Sequence, residues 1–313
     1  MTIDYSAAAF TAADVPDQTG KTFFVTGANT GLGFETARVL AAMGARVLLG
    51  CRTRSKADDA VARIRVEHPD AILEIVDLDL GDLESVRAAA AQVALEARLD
   101  GLVNNAGIMM PPRELTKDGF ESQFGVNHLG TFALTGLLLP KLEQTAGSRI
   151  VNTSSNAHKA GKISFDDLAA ERSYSSLGRY SMSKLANLLH TCELDRRLRA
   201  RGSSTTAVCV HPGGSDTELA RHLPDWTHLL FPIVRLFLNT AAQGAWPTLL
   251  GATAPGVEGG QYFGPKGIGQ IAGPARRVDS NAASKDVAVA GRLWDVSVEL
   301  TGVDPGLEAA PAA

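Results

Sequence analysis

The chain has 313 residues, of which 45% are apolar and 20% charged, and its formal net charge is −4. This composition suits one sizeable folded domain, and the weak negative charge argues against a nucleic-acid partner. The three cysteines, Cys51, Cys192 and Cys209, are odd in number and widely spaced. They form no metal-binding spacing, and no histidine or carboxylate cluster accompanies them. The sequence therefore predicts buried free thiols and no metal site.

The sequence pattern contains no targeting or membrane signal. The segment Met1–Asp17 lacks a basic stretch followed by an apolar run, so no secretory signal is expected. No window approaches ~18 uninterrupted apolar residues, which predicts no membrane-spanning segment. We therefore expect a cytoplasmic protein.

Predicted strands and helices alternate along the first half of the chain. The β-prone run Thr22–Thr26 leads into a glycine loop and then into a helical pattern that ends at Gly44. The alternation continues with strands at Arg46–Gly50, Ile72–Leu78 and Leu99–Val103 and helices at Lys56–Glu67 and Ser85–Ala97. Strands separated by helices are typical of right-handed βαβ units. The sequence thus predicts an α/β fold, a doubly wound parallel sheet of the Rossmann type in a single domain.

The second half continues the same alternation. The predicted elements are, in order, a long helix at Phe120–Leu139 ended by Pro140, a strand at Arg149–Thr153, an irregular stretch at Asn156–Gly178, a helix that carries Tyr180 and ends near Gly202, a strand at Thr205–Val210, a helix at Thr240–Ala252, a short last strand at Gly260–Phe263 and a C-terminal helix around Val287–Val298.

The sequence predicts a short segment outside the domain at each end of the chain. Residues 1–20 should form a polar arm, residues 21–303 the domain itself, and residues 304–313 a disordered tail. Within the domain, the segment Leu219–Asn239 is unusually apolar. We expect a substrate lid at about 214–240. Packing of this stretch on the core or against another subunit is the alternative that the sequence leaves open.

A glycine-rich loop lies between the first predicted strand and helix, as Thr26-Gly27-x-x-x-Gly31-x-Gly33. Glycines permit a tight turn and a close approach to a pyrophosphate, and the helix N-terminus favours its negative charge. The pattern therefore predicts a dinucleotide site. The loop residues expected to contact the cofactor are Gly27, Asn29, Thr30, Gly31, Leu32 and Gly33.

The end of the second strand indicates which dinucleotide is bound. A site for NAD(H) places Asp or Glu there to bind the ribose hydroxyls. Here Cys51-Arg52 occupies that position, and no carboxylate occurs before Asp58. The planar guanidinium of Arg52 can pair with a 2′-phosphate. The sequence therefore favours NADP(H) over NAD(H).

Tyr180 and Lys184 are four residues apart and should lie on one face of a helix. A free tyrosine has a pKa near ~10, and a neighbouring ammonium lowers it. Tyr180 is therefore a candidate general acid or base. A hydride transferred to a carbonyl leaves negative charge on the oxygen, and Ser155, at the end of the fifth strand, can donate a hydrogen bond to it.

Together these motifs resemble the short-chain dehydrogenase/reductase family. The stretches that carry the resemblance are the glycine loop, Asn104-Asn105-Ala106-Gly107, Asn127, Ser155, Tyr180-x-x-x-Lys184 and Pro212-Gly213. The resemblance covers roughly residues 20–300. It implies a hydride-transferring alcohol dehydrogenase or carbonyl reductase.

The resemblance also implies roles for individual residues. Asn127, Ser155, Tyr180 and Lys184 match the catalytic set, in which the asparagine backbone holds a water of a proton relay. The positions that match cofactor contacts are Asp79 and Leu80 at the adenine, Asn105, Ala106 and Gly107 after the fourth strand, Tyr180 and Lys184 at the ribose, and Pro212, Gly213 and Thr217 behind the nicotinamide.

The spacing between Ser155 and Tyr180 is longer than in compact members of the family. With Arg149–Ser155 and Cys51-Arg52, it resembles the retinol-dehydrogenase-like and protochlorophyllide-reductase-like branch. Phe34 stands beside Gly33 where that branch often has lysine, a departure at the phosphate site.

We expect a hydrophobic ketone, aldehyde or alcohol as substrate. A homodimer or homotetramer, paired through Phe120–Leu139 and Tyr180–Arg201, is left open. A non-catalytic NADP-binding sensor or scaffold of the same fold is the main alternative function. A sugar-nucleotide epimerase is less compatible with the glycine spacing.

Overall fold

The computed structural model describes residues 4–214 and 239–309. Strands and helices alternate through the first half, and the bounds of β1 and β5 match the sequence prediction. The elements are β1 Thr22–Thr26, α1 Gly31–Ala42, β2 Arg46–Cys51, α2 Arg54–Glu67, β3 Leu73–Asp77, α3 Leu83–Ala94, β4 Gly101–Asn104, α4 Ser122–Phe124, α5 Gly130–Glu143 and β5 Arg149–Thr153.

The second half adds the helix that carries Tyr180 and the remaining strands. These elements are α6 Ser176–Ala200, β6 Thr206–Val210, α7 Ala241–Gly244, α8 Trp246–Thr253, β7 Tyr262–Pro265, β8 Ala275–Arg277 and α9 Val287–Thr301. Most of the apolar segment Leu219–Asn239, with the expected lid and Thr217, lies outside the described residues.

The strands form one eight-stranded sheet in the described residues, in the order β3-β2-β1-β4-β5-β6-β7-β8. Neighbouring strands from β3 to β7 pair in parallel, and β8 runs antiparallel to β7. The chain moves outward from β1 in both directions, so β1 and β4 flank the point where the winding reverses. In such sheets the ligand site lies beyond the carboxyl ends of the strands at this point. The predicted doubly wound fold in a single domain is confirmed.

Two apolar cores cover the two faces of the sheet. Successive side chains of a strand point to opposite faces. Phe23 and Val25 accordingly belong to the core that includes α1 and α8, and Phe24 belongs to the core that includes α3, α5 and α9. Strands buried on both faces explain why the sequence shows continuous apolar runs there.

Several predicted bounds were wrong. A helix ended by Pro140 was expected over Phe120–Leu139, but the chain forms α4, a π-helical turn at Gly125–Leu129 and then α5, which continues through Pro140. Pro140 is exposed, and a proline on the solvent side of a helix requires only a local bend. The helix expected at Thr240–Ala252 is divided between α7 and α8.

The expected strand at Gly260–Phe263 corresponds to β7, but β8 follows it as the last strand. The N-terminal arm extends the same edge, because Phe10 forms an antiparallel bridge with Ala275. Tyr5, Phe10 and Val15 of this arm are buried. The arm is therefore part of the packed domain rather than a polar appendage.

The C-terminal segment also packs more closely than predicted. Residues 303–309 are described, and Val303 and Leu307 are buried against the core with α3, α5 and α9. Arg197 Nη1 donates to the Leu307 carbonyl oxygen at 2.8 Å. A disordered tail is thus wrong for these residues. The sequence left open a pairing of subunits through the segments that form α5 and α6. Helix α9 packs on both of these helices, and the oligomeric state stays a prediction.

In the described part of the chain, no helix combines the length and apolar character needed to cross a membrane. The cytoplasmic location stays a prediction.

Candidate active site

The glycine loop joins β1 to α1 at the point where the sheet winding reverses. Gly27 and Gly31 have φ values of +67° and +56°, a region that favours glycine. A Cβ atom at Gly33 would collide with the Gly27 carbonyl oxygen and the side-chain amide of Asn105. Thr30, the N-cap of α1, makes no side-chain cap hydrogen bond, so the first amides of the helix stay available. Uncapped helix amides beside this turn fit a pyrophosphate; Asn29 lies in the turn and Leu32 in the first turn of α1.

The turn after β4 is fastened to this loop through Thr26. The Thr26 hydroxyl oxygen accepts from the backbone amides of Asn105 and Ala106, both at 3.0 Å. Asn105 Nδ2 donates to the Thr26 carbonyl oxygen at 3.0 Å. The predicted residues Asn105, Ala106 and Gly107 are therefore held against the glycine loop. Thr26 itself was absent from the predicted site residues, although its position at the end of β1 was a usable signal.

The residues predicted at the adenine end lie after β2 and β3. Arg52 is exposed in the turn that follows β2, and it makes no ion pair within the described part of the chain. Asp79 Oδ1 accepts from the Gly81 amide at 2.8 Å, which fixes the turn after β3. Leu80 is buried, and its carbonyl oxygen lies where a Cβ at Gly130 would be. This end of the site therefore offers the exposed guanidinium of Arg52 and a turn that the Asp79 carboxylate holds in place.

Tyr180 and Lys184 lie on α6 and are 3% and 5% exposed. Lys184 Nζ is 5.6 Å from the centroid of the Tyr180 ring. The same ammonium donates to the Thr153 carbonyl oxygen at 3.2 Å, two residues before Ser155. The predicted tyrosine, lysine and serine are thus gathered where the start of α6 meets the end of β5.

Further bonds fasten α6 to the end of β5. Ser154 Oγ donates to the Lys184 carbonyl oxygen at 2.8 Å, and Asn187 Nδ2 donates to the Thr153 carbonyl oxygen at 3.1 Å. Ser155 Oγ accepts from the Ala157 amide at 3.2 Å. A hydroxyl that accepts this bond still has its own hydrogen to donate. The position of the helix relative to the strand is therefore set by buried hydrogen bonds.

Asn127 lies in the π-helical turn and connects α6 to the loop after β4. Its Nδ2 donates to Ser183 Oγ and to the Ile108 carbonyl oxygen, both at 2.9 Å. Its Oδ1 accepts from the Ile108 amide at 2.8 Å. π-helical turns occur frequently at functional sites. Asn127 is therefore bonded to Ser183, the residue that precedes Lys184 on α6.

His158 lies beside Ser155 and was not among the predicted site residues. Its Nδ1 is 2.7 Å from the Ser155 carbonyl oxygen, and the ring is fully buried. Burial lowers the pKa of His158, so the ring is neutral and Nδ1 acts as the donor.

Tyr262, on β7, packs its ring against His158 with centroids 5.6 Å apart. Burial raises the pKa of this tyrosine well above its usual value, so its phenol keeps its proton.

The turn after β6 carries Pro212 and Gly213, the residues predicted behind the nicotinamide. Gly213 has φ of +81°, and its amide donates to His211 Nδ1 at 3.2 Å. His211 Nε2 must then donate to Gln270 Oε1 at 3.0 Å. Burial lowers the pKa of His211 to about 3. His211, given no role from the sequence, therefore shapes this turn as a neutral ring.

Asn239 closes the turn on its other side. Its Nδ2 donates to the Pro212 carbonyl oxygen at 3.1 Å, and its Oδ1 accepts from the Gly273 amide at 3.0 Å. The predicted contact Thr217 lies outside the described residues. Across residues 4–214 and 239–309, no group of histidine, cysteine and carboxylate side chains is arranged to hold a metal.

Comparison with known proteins gives a consistent assignment. The family model of the short chain dehydrogenases matches residues 21–228 of the chain. Retinol dehydrogenase 12 of Homo sapiens is 45% identical over 287 residues, which cover 91% of this chain and 87% of that protein. Retinol dehydrogenase 14 of Mus musculus is 43% identical over 300 residues, with 91% and 86% covered.

Solved structures agree in fold. A crystal structure of a protein from Mycobacterium Paratuberculosis has a TM-score of 0.80 and 40% identity, and the match covers 96% of this chain and 100% of that one. A short chain dehydrogenase of Shigella flexneri complexed with NADP has a TM-score of 0.60 at 22% identity, with 80% and 98% covered, a likeness of fold alone. The chain therefore belongs to the short-chain dehydrogenase/reductase family, and within it to the retinol-dehydrogenase-like branch.

Proposed function

We propose that the protein is an NADP(H)-dependent oxidoreductase that interconverts a hydrophobic aldehyde or ketone and its alcohol, with Tyr180 as general acid and base. One observation carries the proposal. Tyr180 and Lys184 are buried on one face of α6, and the Lys184 ammonium is bonded to the strand end that presents Ser155. Bound NADP(H) supplies or accepts the hydride, and the protein supplies position, charge and the proton.

The residues of the glycine loop and the β4 turn would hold the dinucleotide. Gly27 and Gly31 give the loop its positive-φ turn, and Gly33 lets α1 pack closely against the Gly27 carbonyl oxygen and Asn105, so that the first turn of α1 would face the pyrophosphate. Arg52 would pair with the 2′-phosphate, because it is exposed at the end of β2 and makes no ion pair with another described residue. Asp79 and Leu80 would border the adenine, and Pro212 and Gly213 the nicotinamide.

Ser155 would bind the substrate oxygen. Its Oγ already accepts a hydrogen bond from the Ala157 amide, so its own hydrogen is left to donate to a carbonyl oxygen. A fixed donor at this oxygen stabilises the negative charge that develops when the carbonyl carbon receives hydride. His158 holds the carbonyl group of the same residue. Ser155 is therefore presented in one orientation.

Tyr180 would give its phenolic proton to the same oxygen during reduction and take it back during oxidation. The Lys184 ammonium, 5.6 Å from the ring centroid, stabilises the phenolate that forms. Lys184 would also bind the ribose hydroxyls of the nicotinamide half. Asn127, fixed through its side chain, would hold a relay water through its backbone and so return the proton from solvent.

The relatives named retinol dehydrogenases support a long apolar alcohol or aldehyde as substrate. The apolar segment at about 214–240 would cover it, a proposal from the sequence that falls outside the described residues. The test is absorbance-followed NADPH oxidation with retinal, a medium-chain aldehyde and a small aldehyde. We expect turnover of at least the apolar aldehydes. Binding of NADPH without turnover of any carbonyl compound would instead favour the non-catalytic sensor.

A further inference from the structure

The loop Ile108–Pro111 follows Gly107 directly and lies beside the proposed catalytic lysine. A Cβ atom at Gly107 would be 3.5 Å from Lys184 Nζ. Both backbone groups of Ile108 bond to the side chain of Asn127. The next residues of the loop therefore lie at the carboxyl edge of the sheet, next to the place where the substrate carbonyl must sit.

Met110 has an unusual backbone conformation in this loop. Its φ of +51° lies in the left-handed region, which costs free energy for a side chain other than glycine. Met109 and Met110 are half-buried. Strain of this kind persists only where surrounding contacts hold it, and it is concentrated at functional sites. The contacts that hold Met110 therefore help to set the conformation of the loop at this edge of the sheet.

Two side chains supply those contacts. Gln123 is fully buried; its Oε1 accepts from the Met110 amide at 2.9 Å, and its Nε2 donates to the Ser176 carbonyl oxygen at 2.9 Å. Tyr174 accepts from Gln123 Nε2 at 3.3 Å and donates its hydroxyl to the Pro111 carbonyl oxygen at 2.6 Å. The loop is therefore fastened to α4 and to the segment that leads into α6.

We propose that the Ile108–Pro111 loop is a wall of the substrate site, and that Gln123 and Tyr174 are positioning residues that shape it for an elongated apolar substrate. The loop sequence Ile-Met-Met-Pro carries no charge and no polar side chain. Methionine is flexible and polarisable, so a methionine pair can adapt to a long hydrocarbon chain. The inference rests on the function proposed above.

Tyr174→Phe is the main variant, because it removes one hydroxyl and keeps the ring. Gln123→Met is the second variant, and it removes all three hydrogen bonds of the buried amide at nearly constant volume. Tyr5→Phe is the matched control. It removes a hydroxyl that donates to the Pro255 carbonyl oxygen at 2.7 Å, on the N-terminal arm.

Two measurements are made on the full chain with NADP(H) bound. The first is the ratio of kcat/KM for retinal to kcat/KM for a small aldehyde. The second is binding of retinol to the NADP-loaded protein, followed by retinol fluorescence. In Tyr174→Phe we expect the ratio to fall and the retinol Kd to rise by about three- to ten-fold, as for loss of one hydrogen bond. Turnover of the small aldehyde should fall less than turnover of retinal, a difference that a general loss of stability would not produce.

Each outcome decides the inference. A wild-type ratio and retinol affinity in both variants would overturn it, as would a wild-type protein that binds no retinol. A protein that binds retinol with these variant effects but reduces no carbonyl compound would leave the wall in place and refute the proposed oxidoreductase. Equal effects in Tyr5→Phe would mean that the change is not specific to this loop.

Discussion

The start of α6 and the middle of α6 bury titratable side chains in opposite ways. At its start, Tyr180 and Lys184 meet loops at the carboxyl edge of the sheet, and Lys184 bonds to a backbone carbonyl there. Farther along, His190 is enclosed by rings, with centroids 5.2 Å from Phe132 and 5.7 Å from Trp294. Burial lowers the pKa of His190 to about 3. Enclosure keeps His190 neutral, whereas Tyr180 and Lys184 lie at the edge of the sheet where we propose that the chemistry occurs.

The largest expected effect comes from removing Tyr180, the proposed acid, at the start of α6. Tyr180→Phe should lower kcat by about 10²–10⁴-fold, the usual contribution of a general acid–base group. The midpoint of thermal unfolding should change little, because the buried ring remains. Steady-state kinetics with retinal and NADPH measure the first quantity and calorimetry the second. Undiminished kcat on every substrate would refute the mechanism.

The enclosed cluster around His190 should respond in stability instead. Trp294 on α9 packs against Phe132, His190 and the guanidinium of Arg197, which lies 4.4 Å from the ring centroid. Trp294→Ala should lower the free energy of unfolding by about 3–5 kcal/mol, as expected for a large buried side chain. Urea titration at neutral pH measures this change. If Trp294→Ala lowered kcat as far as Tyr180→Phe while the free energy of unfolding stayed unchanged, the distinction between the start of α6 and the cluster around His190 would be wrong.

Acid should lower the stability of the protein through its buried histidines, among them His128 and His190. Burial lowers the pKa of His128 to about 4 and of His190 to about 3, against 6.5 for an exposed histidine. The unfolded chain therefore binds more protons below pH 6.5, and stability falls as pH falls from there towards these folded-state values.

Each histidine contributes at most about 1.4 kcal/mol of lost stability per pH unit in that window. His190→Leu should therefore flatten the plot of unfolding free energy against pH between neutral and mildly acid conditions. Urea titrations at a series of pH values check this slope. An unaltered slope in the variant would mean that His190 does not contribute.

The smallest expected effect tests the cofactor end of the site. Arg52→Ala should raise KM for NADPH about tenfold, which corresponds to ~1.4 kcal/mol, and should leave KM for NADH unchanged. Arg65→Ala, which removes an exposed cation from the last turn of α2, is the matched control. An equal rise for both dinucleotides, or none, would remove Arg52 from the phosphate site.

Local sequence was sufficient where a conformation depends on the residues themselves. Gly27 and Gly31 occupy positions with positive φ, and Gly33 lies where any side chain would collide. The glycine loop was therefore predictable from spacing alone. The spacing of Tyr180 and Lys184 likewise fixed their common helix face, because one helical turn brings them together.

Local sequence was insufficient where a distant partner decides the conformation. Strand β8 has only three residues, Ala275–Arg277, too few for a periodic pattern, and it forms because β7 offers a free edge. Phe10 and Leu307 are buried only because the completed domain presents surfaces for them.

The same limit applies to the supporting residues of the site. Thr26, Gln123 and Tyr174 act through hydrogen bonds to backbone groups, and no residue spacing encodes such a bond. His158 is a similar case, because its partner is the carbonyl group of Ser155 rather than a side chain. The placement of the residues proposed for chemistry was therefore more predictable than the identity of the residues that hold them.

The bond between the Asn239 amide and the Gly214 carbonyl oxygen, 2.9 Å long, has a consequence for how such a protein can diversify. The two residues are distant in sequence, yet this bond holds them side by side at the turn after β6. Whatever sequence connects them can change in length or composition at little cost in loop closure. The proposed catalytic residues all lie outside this stretch, so its sequence can vary without altering them.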